Sequence, residues 1–170
     1  LGEIDRLDEI ARAFSRYGGA PEQRAPAEAT DVAAVVRDVV ALETLGESRV
    51  RWECAVMEPV PAALARDVEL REVVLNLLEN ARLAEATAVR VTVRADGSTR
   101  HVEIAVHDDG SGIDAETLPK IFEPHFSTRT SGSGLGLAIT RRLVESWGGE
   151  VAIESAIGAG TTVRVRLRYA

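Results

Sequence analysis

One cysteine, Cys54, is all that the 170 residues carry. A disulfide framework and a thiolate metal cluster are therefore excluded, and a reducing compartment fits. The three histidines, His101, His107 and His125, fall at no spacing that suits a His-based metal site or a Ser/His/Asp set. No apolar run is long enough to span a bilayer, and no signal peptide opens the chain. Basic residues are outnumbered 20 to 27, for a formal charge of −7. Nothing here points to a nucleic-acid surface. Internal repeats and low-complexity segments are lacking too.

What is present is a hydrophobic content of 45%, enough for a real core in one domain with an appendage. The chain opens at Leu1 directly into a helical pattern, so a fragment of a longer protein is expected. Its focus is Gly132-Ser133-Gly134-Leu135-Gly136-Leu137-Ala138-Ile139. Glycines let a backbone approach a ligand closely. A helix opening behind them adds unpaired N–H groups that suit phosphate. Alone, such a loop is equally an ordinary tight turn.

Residues 1–17 place Leu1, Ile4, Leu7, Ile10, Ala11 and Phe14 at helical spacing. Gly18 to Pro21 ends that helix, and a linker is expected to run to Thr30. Asp31 suits the N-cap of a helix with Val32, Val35, Val36, Val39, Val40 and Leu42 inward. Val50, Trp52, Cys54 and Val56 alternate as in a half-buried strand. A strongly patterned helix follows over Asp67–Ala84, with Val68, Leu70, Val73, Val74, Leu77, Leu78 and Ala81 as its apolar face. Asn76 and Asn80 lie four apart on one side of it. Asparagine is a mediocre helix former, so the pair reads as two amide oxygens offered to a hard cation such as Mg²⁺. Side-chain bonding near a helix end is the plainer alternative.

Val89–Val93 and Val102–Val106 form a hairpin that delivers Asp108-Asp109-Gly110-Ser111-Gly112-Ile113. A carboxylate there can accept from an exocyclic amine, although an ordinary Asp-Gly turn looks the same. A short helix is expected over Asp114–Ile121. After Phe122–Phe126 comes an aperiodic stretch, a candidate lid. A helix to Trp147 and two strands, around Val151–Ile153 and Val163–Tyr169, close the chain. The order predicts an α+β, two-layer α/β sandwich: a mixed sheet covered on one face by helices.

Together these stations resemble the catalytic, ATP-binding domain of bacterial sensor histidine kinases, of the Bergerat ATPase superfamily. The N box is Asn76–Ala81, the first glycine box Asp108–Gly112, the F box Phe122–Phe126, and the second glycine box Gly132–Leu137. Gly158–Thr162 resembles the last box. The resemblance implies Mg-ATP as ligand, with Asn80 and Asn76 on the metal and phosphates and Asp108 on the adenine amine. Gly110 and Gly112 would make room for the base, bordered by Ile113 and Thr161. Gly132, Ser133, Gly134, Leu135, Gly136 and Leu137 would cradle the triphosphate, with Arg129 and Arg142 as further candidates for phosphate. A basic residue common after the N box is replaced here, since Leu83 follows Arg82.

The hydrolysing relatives carry a water-activating glutamate where Asn76 stands, so slow hydrolysis and transfer to another acceptor are expected. Glu72, one turn earlier, is the residue that would spoil this reading. The implied acceptor is a histidine in a helical dimerisation domain, and none of the three histidines has its setting. The expected organisation is 1–18, the end of the dimerisation helix; 19–30, linker; and 31–170, the catalytic domain. The expected partners are that dimerisation domain and a response-regulator receiver, in a homodimer when full length. The fragment itself is expected to be monomeric and cytoplasmic, without direct membrane contact or nucleic acid. An anti-sigma-type serine kinase, or a non-catalytic nucleotide-sensing module, would share the fold.

Overall fold

The computed structural model describes residues 26–46, 49–126 and 134–170. The expected leading helix, most of the linker, Gly132, Ser133 and Arg129 lie outside them.

Asp31 caps the first helix, α1 (Val32–Leu45), its side chain accepting from the Ala34 N–H at 3.0 Å. Valine is a poor helix former, so the burial of Val32, Val35, Val36, Val39 and Val40 against the core holds this helix. Leu42, expected inward, is 64% exposed. None of residues 41–46 is buried, so the last turn runs past the surface that covers the first ones. In α2 (Asp67–Leu83) the apolar face begins at Leu70, not Val68. Val68 is 78% exposed and shares the outer face with Leu75 and Glu79, which are both exposed.

The main sheet has strands β2 (Arg51–Met57), β4 (Ala88–Asp96), β5 (His101–Asp108), β6 (Glu150–Ala156) and β7 (Gly160–Arg168). Their order is β2-β4-β5-β7-β6, antiparallel except for the β2–β4 pair. A parallel pair needs a crossover, and α2 lies within it. The α+β, mixed-sheet expectation holds. Along β5, Val102, Ile104, Val106 and Asp108 are buried on one face, while His107 on the other is exposed. Cys54, on edge strand β2, is exposed rather than half-buried.

Two local expectations need correcting. Glu28–Thr30, assigned to the linker, is strand β1, antiparallel to β3 (Ala63–Ala65), with the Thr30 hydroxyl donating to the Ala65 carbonyl at 3.1 Å. Asp114–Ile121 is no α-helix. It is a turn, with Asp114 holding Thr117, followed by one 3₁₀ turn at Leu118–Lys120. Pro119 has no N–H to continue the ladder. The last helix, α3, runs Gly136–Ser146 and runs antiparallel to α2. Its first residue meets Asn76, and the indole N–H of Trp147 beyond its end donates to Glu69 at 3.2 Å.

Candidate nucleotide-binding site

The buried face of α2 points its apolar stripe into the core and leaves Asn76 and Asn80, one turn apart, half-buried at its side. Asn76 Nδ2 donates to the Gly136 carbonyl at 3.5 Å, the outer limit of such a bond. Asn80 Nδ2 is buried with no hydrogen-bond partner. An orphaned buried amide is costly and asks for a reason. A half-turn of the side chain exchanges its nitrogen and oxygen. The same end therefore offers a donor to phosphate or an oxygen to a cation, and the pair fits Mg²⁺ with phosphate.

Helix α3 starts at Gly136 with Leu135 as N-cap residue and, among the described residues, no side-chain cap hydrogen bond. Gly134 has φ +70°, and a Cβ there would stand 2.7 Å from the backbone of His125. The F box thus abuts the second glycine box. His125 itself holds φ 62°, an uncommon conformation for a residue with a side chain. Phe122 lies under the Arg141 guanidinium, at 5.4 Å.

The first glycine box is docked on protein from two sides. The Ser111 N–H donates to the Ala84 carbonyl beyond α2, and the Gly158 N–H donates to the Ser111 carbonyl, each at 3.0 Å. A Cβ on Gly110 would come within 2.5 Å of the Ala84 oxygen, and one on Gly112, at φ +74°, within 1.9 Å of the Ala156 oxygen. Beyond any room for a base, these glycines let three loops touch. Asp108 is 5% exposed, accepts from the Gly110 N–H at 2.8 Å, and sits opposite Thr161 across β5 and β7. Burial pushes its carboxyl above the usual range, only partly offset by backbone N–H donors from Gly110 and Thr161.

Glu79 pairs with Arg82 at 2.6 Å, and Arg82 also pairs with Glu43 and lies 5.6 Å from the Trp52 ring. Arg82 is thus engaged away from Asn76 and Asn80, and Leu83 brings no charge. Arg142 is exposed. Two residues escaped the sequence reading. Asp109 accepts from the Thr87 and Ala88 N–H groups and the Thr87 hydroxyl at 2.6–2.9 Å. Ser155 bonds to Ile113, Gly160 and Thr161. For Ser155 a signal existed: it continues the inward register of Val151 and Ile153, where an apolar residue is the rule.

Residues 65–170 match the family described as histidine kinase-, DNA gyrase B-, and HSP90-like ATPase. The chain belongs to this family. Among members of this ATPase family, the histidine protein kinase DivJ of Caulobacter vibrioides is 43% identical over 103 residues, 58% of this chain and 17% of that protein. Sporulation kinase E of Bacillus subtilis is 28% identical over 169 residues, 97% of this chain and 22% of that protein. The chain thus spans about a fifth of the curated relatives it matches. Full-length ShkA in complex with AMPPNP superposes with TM-score 0.80 at 28% identity, over 98% of this chain and 36% of that one. The mycobacterial sensor histidine kinase MprB gives 0.72 at 26%, over 85% and 99%. The chain is an ATP-binding domain of the sensor histidine kinase type.

Proposed function

We propose that the domain binds Mg-ATP and donates the γ-phosphoryl group to a histidine on a helical dimerisation segment, in two-component signal transduction. The observation that carries this reading is the Asn76–Gly136 contact beside the orphaned Asn80 amide. Metal ligands and phosphate loop meet there, and the position one turn before Asn80 carries no carboxylate. The AMPPNP complex of ShkA supports an adenine nucleotide at the site.

Mg²⁺, when bound, supplies charge neutralisation across the phosphates. Asn80 and Asn76 would hold it by their amide oxygens. The start of α3, with Gly134 to Leu137, receives phosphate oxygens, and Gly132 and Ser133, outside the described residues, are assigned to the same role. Asp108 accepts from the adenine amine, and Ile113 and Thr161 border the ring. Without a base at position 76 the γ-phosphate is kept for the acceptor, and hydrolysis is slow.

Residues 31–170, with β1 added, form the catalytic unit, and residues 1–18, which lie outside the described residues, are assigned to the dimerisation segment. The partners are that dimerisation domain and a response-regulator receiver. The full-length protein is a homodimer with this domain in the cytoplasm, and the chain by itself is mainly monomeric. Among the described residues, no helix is long and apolar enough to cross a membrane.

Calorimetric titration with ATP, with and without Mg²⁺, tests the site beside Asn80→Ala and Asp108→Asn. Mg-dependent binding is expected. Loss of the Asp108 charge should weaken it about tenfold to a hundredfold, as for a hydrogen bond to a charged group. A wild-type chain that ignores millimolar ATP would sink the reading.

A further inference from the structure

On its helix-facing side, the sheet ends in a polar row. Three strands carry apolar residues inward until their last inward position: Val102, Ile104 and Val106 before Asp108; Leu167, Val165 and Val163 before Thr161; Val151 and Ile153 before Ser155. Asp108 is the cross-strand partner of Thr161, and Thr161 that of Ser155. An apolar side chain at position 155 would simply extend the core. A hydroxyl stands there instead.

We infer that Ser155 is a positioning residue of the nucleotide site, fixing both the hydroxyl of Thr161 and the backbone of Ile113 against the base. This rests on the reading of the pocket proposed above. Ser155 Oγ accepts from the Ile113 N–H at 2.8 Å, lies 3.0 Å from the Gly160 carbonyl and 2.7 Å from Thr161 Oγ1. A serine hydroxyl has one hydrogen and two lone pairs. One lone pair is taken by Ile113.

Two arrangements of the remaining hydrogens follow. Ser155 donates to Gly160 and accepts from Thr161, which leaves Thr161 only lone pairs for a ligand. Alternatively, Ser155 donates to Thr161 and leaves the Thr161 hydrogen free to donate. Either way the Thr161 oxygen is anchored and its hydrogen has two defined directions instead of free rotation. Thr161 is 8% exposed, so few other partners are at hand. A base held by Asp108 through a 6-amino group presents ring N1, an acceptor, beside that amine. A 6-oxo base presents an N–H at the same place. Ser155 confines Thr161 to two roles: donating to N1 of a 6-amino base, at the expense of the Ser155–Gly160 bond, or accepting from the N–H of a 6-oxo base. The Ile113 bond ties the first glycine box to the same oxygen, so ring edge and loop move together.

The test is a set of titrations of the chain with ADP and with inosine diphosphate, in the presence of Mg²⁺. Ser155→Ala should weaken ADP about tenfold and shift the ADP-to-inosine-diphosphate ratio. Ser155→Ala and Thr161→Val should be strongly non-additive, the second change costing little once the first is made. Ser155→Thr, which keeps the hydroxyl, should restore both affinity and ratio, whereas its isostere Ser155→Val should not. The Thr/Val comparison carries the test if the alanine variant does not fold. ADP affinity within twofold of wild type in Ser155→Ala or Ser155→Val, or full additivity with Thr161→Val, overturns the inference. If Asp108→Asn still weakens ADP in that case, the pocket stands and only the role of Ser155 falls. If the unaltered chain binds no ADP, both fall.

Discussion

Asp109 grips Thr87 with both carboxylate oxygens, Oδ1 accepting from the backbone N–H at 2.7 Å and Oδ2 from the hydroxyl at 2.6 Å. Thr87 lies between α2 and β4, so this one side chain ties the end of the asparagine helix to the first glycine box. The neighbouring acids have opposite settings. Asp108 is buried beside Thr161, whereas Asp109 is a strut.

Hydrogen bonds from Ala88 and Thr87 lower the Asp109 carboxyl from 3.8 to about 2. A depressed folded pKa contributes stability that is present above pH 3.8 and lost as pH falls towards 2. Unfolding midpoints measured from pH 6 to pH 2 should therefore drop over that window. Asp109→Ala should be less stable at neutral pH and show a shallower drop.

The unpartnered amide of Asn80 sets binding against stability. Asn80→Leu removes a buried orphan worth about 1–3 kcal/mol and raises helix propensity. Denaturant titration of the ligand-free chain should find the variant as stable as wild type or more so, while Mg-ATP binding falls at least about tenfold. A variant both unstable and still binding would refute the assignment of the amide to ligand.

Two glycines make a matched control. At Gly112 an added Cβ meets the Ala156 oxygen at 1.9 Å and the backbone is left-handed, whereas at Gly97 nothing lies within 4 Å. Gly112→Ala should cost at least about 2 kcal/mol, or roughly 4–8 °C of melting temperature in a domain of this size. Gly97→Ala should stay within about 0.5 kcal/mol of wild type. Differential scanning of the two variants decides it.

Glu103 lies on the open face of the sheet, yet its side chain is only 6% exposed, between Arg94 at 2.8 Å and Arg166 at 3.0 Å. Burial raises its carboxyl, but the two guanidiniums more than offset this and leave it below the usual 4.5. Its contribution is thus present above pH 4.5 and fades as pH falls below that value. Because both arginines are about half exposed, Glu103→Gln should cost only about 1 kcal/mol at pH 7. The difference from wild type should shrink near pH 3.

Long periodic elements were legible in the sequence. Six apolar positions in register, Leu70 to Ala81, announce α2, and alternation announces the β4–β5 hairpin. The strands β1 and β3 were not, because three residues carry no period and pair across 35 positions, as Thr30 does with Ala65. Asp114–Ile121 resembled a helix until Pro119 and the Asp114 turn intervened. At the site, Asn76, Asn80 and Asp108 are marked by residue type out of place. Asp109 was not, since its partner Thr87 is 22 positions away and nothing local links them. Leu42 failed because an apolar stripe says which residues share a face, not how far the covering surface reaches, and Val68 because it lies on the outer face with Leu75 and Glu79.

The bond between the Trp147 indole and Glu69 has an optical side. Only two tryptophans occur in the chain: Trp147 is 4% exposed at the far end of α3, and Trp52 lies beneath Arg82 on the opposite flank. The fold therefore contains its own pair of fluorophores, one coupled to the helix that begins at the second glycine box and one that serves as an internal reference.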